Sequence, residues 1–350
     1  MSSKTSAPLS VQHTLLLRAV RHEPVPRVPV WLMRQAGRSD PAYLAYRDRT
    51  GLDLHALFRS AEHAFALSLL PRRFGVDAIV LYQDILTPLE PMGADFRFVP
   101  GPVLAQPIRD AAAVRLKSCD PAARLPFIGE AIHALKRELG SGLPLIGFAG
   151  APFTLAAFLI EGSSPGSMER TLAFASEQPQ AFGDLMERLT RMTVDYLNYQ
   201  AACGADVLQL FESVGDGIPR ALYERFAQPS HQRIFGALNP ALPAILFVKG
   251  SPYPDLMLES GAAVLSVGTN VSLRDLLARG KGRIAVQGNV DNRVLAAGTA
   301  QRVAEAVRSC IAESGGRGHV LNLNHGLLPE TPPANVLAFV QAARAVRLSA

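Results

Sequence analysis

The stretch LPLIGFAGAPFTLAAFLI, residues 143–160, decides between two classes of protein. It carries no charged side chain and is long enough to resemble a membrane span. Pro144, Gly147, Gly150 and Pro152 interrupt it at the spacing expected for a short strand, a turn and the start of a helix. The stretch therefore predicts a buried β-strand followed by an α-helix in a protein core, and no passage through a membrane.

Similar apolar runs of four to eight residues recur along the whole chain, as buried parallel strands do. With the first stretch they number eight: Val28–Met33, Asp77–Leu81, Leu145–Ala149, Asp206–Phe211, Ala244–Val248, Ala263–Val267, Ile284–Gln287 and Val320–Leu323. Segments of helical period separate them, among them Ala61–Leu70, Ile128–Leu139, Ala181–Ala202, Leu273–Ala278 and Val303–Ile311. A last helix is predicted to begin at Thr331-Pro332. The chain alternates β and α throughout.

Eight βα units without a composition break or a flexible linker favour one α/β domain, residues 1–350, built as a single (β/α)8 TIM barrel. The alternatives are a doubly wound sheet and a division into two domains. We expect residues 1–14 to be flexible. The longest insertion is expected between strands 3 and 4, with helices over Thr154–Glu161, Ser167–Ser176 and Ala181–Ala202 above one end of the barrel.

Composition excludes several functional classes. The chain has 350 residues, is 48% hydrophobic and 19% charged, and carries a formal net charge of +5. Its 35 Lys and Arg residues form no basic tract, which favours an acidic ligand and predicts no nucleic-acid binding. Cys119, Cys203 and Cys310 are too far apart in sequence for a CxxC site. With an N-terminus unlike a signal peptide, they predict a reducing, cytoplasmic location.

The common nucleotide and metal signatures are missing from the sequence. Neither GxGxxG after a strand nor GxxxxGK[ST] occurs, so we expect no dinucleotide or nucleoside triphosphate. None of the eight histidines forms HExxH, HxH or His-x-Cys, so no zinc site is expected. His319, at the start of a strand, is predicted to be structural.

Polar residues follow most of the predicted strands. They are Arg34 to Arg38, Asp84, Glu212-Ser213, Lys249-Gly250, Gly288-Asn289 and His325-Gly326. In a parallel barrel these positions meet at one rim, where barrel enzymes place their chemistry. Each has a structural alternative: Asp84 could cap the turn before Leu86, and Asn289 could order a turn. Together they predict an electropositive mouth around one carboxylate.

Five blocks in this sequence resemble, in the same order, the signatures of the uroporphyrinogen decarboxylase family. The strongest is PVWLMRQAGR at residues 29–38, and the second is GFAGAPFTL at residues 147–155. The others are QLFES at 209–213, QGN at 287–289 and NHGL at 324–327. The resemblance covers nearly the whole chain, from about Leu15 to Val346.

This resemblance implies an enzyme without cofactor or metal that acts in haem and chlorophyll precursor synthesis. It would remove CO2 from the four acetate side chains of uroporphyrinogen III, a porphyrinogen, to give coproporphyrinogen III. The family fold is a (β/α)8 barrel, usually a homodimer. By similarity, Asp84 and Arg34 are the catalytic residues, with Asp84 accepting hydrogen bonds from the pyrrole N–H groups and Arg34, or water held by it, delivering the ring proton. The substrate contacts implied are Arg34, Gln35, Ala36, Gly37, Arg38, Asp84, Phe158, Ser213 and His325, with the 35–37 turn acting through its backbone.

The sequence departs from the family pattern at several positions. Ser39 stands where Tyr is usual, and Tyr82-Gln83-Asp84 replaces Phe-Ser-Asp. Phe158 stands where a Tyr would steady the central Asp or a substrate carboxylate. After the sixth strand, Gly268-Thr269 replaces a common Asp-Trp, a pair that we expect to be structural. These departures suggest slower turnover in an unchanged fold.

Two alternatives follow from the same residues. Phe158 and Gln83 would also suit a diverged tetrapyrrole-binding paralogue with little turnover. A related barrel family transfers methyl groups between corrinoid proteins and thiols through zinc held by His-x-Cys after the fifth strand. Here that strand ends in Val248-Lys249-Gly250, which offers no thiol.

Overall fold

The computed structural model describes residues 11–348. Its strands are β1 (Ile79–Val80), β2 (Phe96–Phe98), β3 (Pro102–Leu104), β4 (Leu145–Gly150), β5 (Val207–Glu212), β6 (Ala244–Val248), β7 (Val264–Ser266), β8 (Ala285–Val290) and β9 (His319–Leu323). Seven of them form one curled sheet in the order β1-β4-β5-β6-β7-β8-β9, and all neighbours in it are parallel. The protein is therefore an α/β structure around a parallel sheet. The strands β2 and β3 form a separate antiparallel hairpin that the sequence did not indicate.

Helices alternate with the strands of the sheet, as the pattern predicts. They are α1 (Leu15–Val20), α2 (Pro41–Thr50), α3 (Leu54–Phe58), α4 (Ala61–Leu69), α5 (Pro121–Arg124), α6 (Pro126–Leu139), α7 (Pro152–Glu161), α8 (Glu169–Glu177), α9 (Pro179–Ala202), α10 (Arg220–Leu222), α11 (Gln228–Ala237), α12 (Pro254–Leu258), α13 (Leu273–Gly280), α14 (Asn292–Ala297), α15 (Ala300–Ser314) and α16 (Pro333–Ala345). The helices α1 to α4 precede β1, α16 follows β9, and the others lie between consecutive strands. A π-helical turn, Tyr223–Ala227, precedes α11. The predicted helices are confirmed to within a few residues.

Residues 143–160 form the strand β4 and the helix α7, as predicted. Every residue of β4 is buried, as are all residues of β6, β8 and β9, because helices cover the outside of the sheet and side chains fill its inside. Pro152 occupies the first turn of α7, where a missing N–H costs nothing. No helix within residues 11–348 combines the length and the apolar character needed to cross a bilayer.

Two expectations about the strands were wrong. The run Val28–Met33 is not a strand: only Val30 forms a bridge, to Leu321 in β9. The segment between β4 and β5, residues 151–206, is also not the longest connection, because residues 81–144 between β1 and β4 form a longer one that contains the hairpin. Of the segment 1–14 expected to be flexible, residues 1–10 lie outside the described part, and Val11–His13 form a 3-10 turn.

Side-chain oxygens accept three of the four N–H groups of residues 30–33. The N–H groups of Val30, Leu32 and Met33 donate to the side-chain oxygens of Asp77, Gln35 and Asn322, at 2.9, 3.1 and 3.1 Å. This explains why an apolar run with strand character forms a single bridge. The Val30 carbonyl still accepts from the Asp77 N–H at 2.7 Å, so the segment lies between β9 and the start of the β1 region.

A buried ion pair anchors this segment. Arg27 donates two hydrogen bonds to Asp77, at 2.6 and 2.7 Å, and both side chains are only 10% exposed. Asp77 thus binds a guanidinium and a backbone N–H together. Removal of one partner would leave a buried charge and a buried donor unsatisfied.

We predict that Asp77→Ala lowers the free energy of unfolding by about 3 kcal/mol, the usual cost of breaking a buried pair from one side. Denaturant unfolding followed by circular dichroism measures it. The matched control is Glu138→Ala, which removes the partner of Arg72 in a pair where both side chains are nearly half exposed. That change should cost about 0.5 kcal/mol or less. Equal losses in the two variants would contradict the anchoring role of Asp77.

Candidate active site

The ends of the parallel strands bring several predicted site residues to one rim of the sheet. His325 follows β9, Lys249 follows β6, and Arg34 follows the segment 28–33. The His325 ring packs edge-on against Phe247 of β6, with 5.7 Å between ring centroids, and Lys249 pairs with Asp216 just after that strand. The stem of Arg34 lies against Gly326, where an added Cβ would approach Arg34 Cδ to 2.4 Å. We call the group Arg34, Arg38, Lys249, Asp216 and His325 the mouth.

The turn that carries Arg34 is built by the side chain of Gln35. Gln35 is buried, accepts the Leu32 N–H and donates to the Ala78 carbonyl at 3.1 Å. Arg34 is held there with a φ of +62°, in the left-handed region. Gln35 is thus a structural residue by its side chain, while within residues 11–348 the N–H groups of Ala36 and Gly37 donate no hydrogen bond. These two donors fit the predicted role of the turn backbone.

Asp84 is the carboxylate of the β1 end, and its side chain is 9% exposed. Oδ1 accepts the N–H groups of Leu86 and Thr87 at 2.6 and 2.8 Å. Oδ2 accepts the Thr87 hydroxyl at 2.6 Å and Arg59 Nη1 at 3.3 Å. Asp84 therefore does cap the turn before Leu86, and the four contacts fix the orientation of its charge.

Arg59 and Thr87 are the partners of Asp84 that sequence reasoning missed. Arg59 ends α3, pairs with Glu90 at 2.8 Å, and lies over the Phe96 ring of the hairpin. A single arginine between two short helices gives no signal in the sequence, because its partners are about 30 residues away. Gln83, the departure from the family pattern, donates to the Phe58 carbonyl at 2.6 Å and accepts the Asp84 N–H. It belongs to the same loop structure.

The remaining predicted residues lie in distinct settings. Ser213 follows β5 and is half-buried, with its N–H donating to Thr154 Oγ1 at 2.8 Å. Phe158 lies half-buried in α7 against the apolar core.

The Tyr196 hydroxyl in α9 is fully buried and has no hydrogen-bond partner among residues 11–348. Burial and then the charge of Asp84 raise the pKa of this hydroxyl, and Arg59 opposes them. Sequence reasoning did not single out this phenol, since its position matches a core face of a helix.

Two predicted structural roles are confirmed, those of Asn289 and His319. Asn289 donates to the carbonyl groups of Gly268 and Val271 at 2.9 Å and orders the loop after β7. His319 is buried at the start of β9, with its ring nitrogens bonded to the Gly288 carbonyl and the Ser314 hydroxyl at 2.8 Å. Neither side chain contributes charge to the mouth.

The positive charge of the mouth comes from arginine and lysine. Burial, followed by Arg34 and Lys249, lowers the pKa of His325 from 6.5 to about 4, against the opposing effect of Asp216. His325 is therefore neutral at pH 7 and serves as a hydrogen-bonding group. Desolvation and then Arg38 lower the pKa of Arg34 below its usual value. Lys249 is held by Asp216, with Nζ 3.1 Å from Oδ2.

Comparison with known proteins gives the class first. A solved methyltransferase from Methanosarcina mazei matches with a TM-score of 0.79 at 22% identity, over 95% of this chain and 98% of that chain. A B12-independent methionine synthase from Shewanella sp. matches with a TM-score of 0.58 at 14% identity, over 84% and 90%. At these identities the two matches show the fold alone, an α/β fold around a parallel sheet.

Closer relatives then identify the family. The family model described as uroporphyrinogen decarboxylase matches residues 12–346. The uroporphyrinogen decarboxylase of Thermus thermophilus is 41% identical over 345 residues, covering 95% of this chain and 98% of its own. That of Geotalea daltonii is 39% identical over 338 residues, covering 94% and 97%. The chain belongs to the uroporphyrinogen decarboxylase family and is a decarboxylase, a carboxy-lyase.

The methyltransferase alternative has no support at the site. Lys249 and Gly250 follow β6, where that class would carry His-x-Cys. Within the described part of the chain, no three His, Cys, Asp or Glu side chains are grouped so that they could hold a metal ion. The likeness to a methyltransferase is therefore a likeness of fold.

We predict that His325 titrates near pH 4 in the folded protein, measured by NMR of its ring Cε1–H. The unfolded chain binds this proton more tightly, so the contribution of His325 to stability is full above about pH 6.5 and is lost as the pH falls toward 4. His325→Gln should flatten this part of the curve of unfolding free energy against pH. The control is His133→Gln, which removes an exposed imidazole, and the fall in stability caused by His325 should persist in that variant. A His325 that titrates near 6.5 would contradict the desolvation of the mouth.

Proposed function

We propose that this protein removes CO2 from the four acetate side chains of uroporphyrinogen III to give coproporphyrinogen III, without a cofactor. The observation that carries the proposal is a fixed carboxylate, Asp84, at the rim that also carries the cations Arg34, Arg38 and Lys249. The substrate presents eight carboxylates around a ring of four N–H donors. The cations of the mouth can bind the carboxylates, and the fixed carboxylate of Asp84 can accept hydrogen bonds from the N–H donors.

The finer architecture is part of the proposal. The segment 28–33 closes the sheet into a single (β/α)8 barrel, residues 1–350 form one domain, and α7, α8 and α9 form an insertion at one end. The backbone hydrogen bonds of the segment 28–33, to Leu321 on one side and to Asp77 on the other, support the closure of the barrel. We further propose a homodimer, which the family resemblance supports, and a cytoplasmic location, which the free Cys119, Cys203 and Cys310 support.

Asp84 acts as the anion that faces the reacting ring. Loss of CO2 from a pyrrole acetate needs an electron sink, and protonation of a ring carbon supplies one. The cation so formed is stabilised by Asp84, whose orientation is already fixed before the substrate arrives. The electrons of the broken C–CO2 bond then form an exocyclic double bond to the ring. Its methylene carbon takes up a proton from solvent and the ring carbon loses the one it gained, which leaves a methyl group on an intact pyrrole. The pyrrole N–H groups approach Oδ2, where the 3.3 Å contact to Arg59 is the longest of the four and the easiest to exchange.

The mouth orients the substrate and supplies the proton. Arg38, Arg34 and the N–H groups of the 36–37 turn bind carboxylates, and neutral His325 and Ser213 add hydrogen bonds. Arg34, or a water held by it, delivers the ring proton. The position of Arg34 supports this role, because its stem lies against Gly326, next to His325 in the chain.

The direct test is anaerobic incubation with uroporphyrinogen III, followed by oxidation and a count of the carboxylates on the products. Conversion of the eight-carboxylate ring to the four-carboxylate ring is the expected result. Binding of the porphyrinogen without release of CO2 would favour the tetrapyrrole-binding paralogue that Phe158 and Gln83 suggested.

We predict that Asp84→Asn lowers kcat by about 10² to 10³ and changes KM far less, because a preorganised charge is lost while the shape is kept. The control is Glu90→Gln, which removes the other carboxylate partner of Arg59, a side chain that is 39% exposed, and kcat should stay within about threefold. Thermal unfolding of both variants checks the loop. A folded Asp84→Asn protein that decarboxylates within a few-fold of the parent would reduce Asp84 to a turn cap.

A further inference from the structure

Three buried polar side chains beside the mouth have no part in the function proposed above. They are Thr154 in α7, Glu212 at the end of β5, and His231 in α11, with exposures of 0%, 0% and 1%. Thr154 Oγ1 donates to Glu212 Oε1 at 2.5 Å, and Glu212 Oε2 lies 3.1 Å from His231 Nε2. We call these three residues the buried triad.

A carboxylate buried in a protein core is energetically unfavourable. Removing a charge from water is unfavourable, and apolar residues of the same volume are often at least as stabilising as the ionic group they replace. Both oxygens of Glu212 are nevertheless satisfied, one by a hydroxyl and one by an imidazole. Such a residue is better explained by the geometry it imposes than by the stability it adds.

The geometry it imposes reaches Ser213. A hydroxyl has one proton, and the Thr154 proton is directed at Glu212, so a lone pair of Oγ1 faces the Ser213 N–H at 2.8 Å. Glu212 also precedes Ser213 in the chain, and its carbonyl accepts the Lys249 N–H at 3.0 Å. The carboxylate thus fixes the backbone from which Ser213 leaves the sheet.

We propose that Glu212 and Thr154 are positioning residues for substrate binding, which act through the backbone of Ser213. The inference rests on the proposed function, in which the Ser213 hydroxyl contacts the porphyrinogen. Glu212 and His231 themselves are too deeply buried to touch a substrate. They act through Thr154, whose oxygen accepts the Ser213 N–H and so holds the backbone that carries the Ser213 hydroxyl.

The test is Thr154→Val, which keeps the shape of the side chain and removes its hydroxyl. We expect KM for uroporphyrinogen III to rise about tenfold, or about 1.4 kcal/mol, with kcat changed much less. Thr154→Ser, which restores the hydroxyl, should return KM to within about twofold of the parent. The matched control is Thr190→Val, another buried threonine, whose hydroxyl donates within its own helix. It should leave KM unchanged.

The decisive comparison is a double-variant cycle with Ser213→Ala. If Thr154 acts through Ser213, Thr154→Val in the Ser213→Ala background adds no further rise in KM. If the rise in KM of the double variant equals the product of the rises in the two single variants, the proposal is overturned. Glu212→Gln gives a second route if Thr154→Val does not fold: its rise in KM must be at least about threefold and must also vanish in the Ser213→Ala background.

Affinity separates this proposal from the function on which it rests. The dissociation constant for uroporphyrin, the fluorescent oxidised ring, is measured for the parent and every variant. A parent that binds the ring but releases no CO2 would count against the proposed function, while the cycle in dissociation constants still decides the positioning role. If the parent turns over the substrate and the two substitutions change the binding free energy additively, the result counts against the positioning role alone.

Discussion

The arrangement of the mouth depends on how the backbone of residues 28–33 is satisfied. This segment cannot rely on a full ladder of strand hydrogen bonds, and its donors are met by Asp77, Gln35 and Asn322 instead. Arg27 neutralises Asp77, and the Trp31 indole N–H donates to Gln287 in the interior of the sheet at 3.0 Å. Because Arg34 and Arg38 follow directly, the position of two cations is set by buried polar contacts a few residues earlier.

Electrostatics divide the site into two parts. At the mouth, cations stand close together: Arg34 acts on His325 and Arg38 acts on Arg34, and both effects lower a pKa. At the β1 end, a single carboxylate is held by two backbone N–H groups, a hydroxyl and an arginine. A ligand with anionic arms around a donor-rich centre matches both parts at once.

The sequence predicted the parallel α/β pattern and the residues that follow each strand, because both depend on local hydrophobic runs and on the polarity of a parallel sheet. It did not predict that Val28–Met33 would form a single bridge, since the side chains that take its N–H groups come from residues up to 289 positions away. The hairpin of β2 and β3 was missed because its strands have three residues each. Arg59 and the buried triad were missed because the residues that contact each other there are far apart in the sequence.

The neutrality of His325 has a consequence for how the protein meets its ligand. The charge of the mouth comes from the side chains of Arg34, Arg38 and Lys249. Because the pKa of His325 is lowered to about 4, its ring adds no charge to that field in the range from pH 5 to 8. Dissolved salt, which screens charges over about 8 Å at physiological ionic strength, acts on this exposed field far more than on the shielded carboxylate of Asp84. Ionic strength should therefore change the rate at which the ligand binds more than the rate of the chemical step at Asp84.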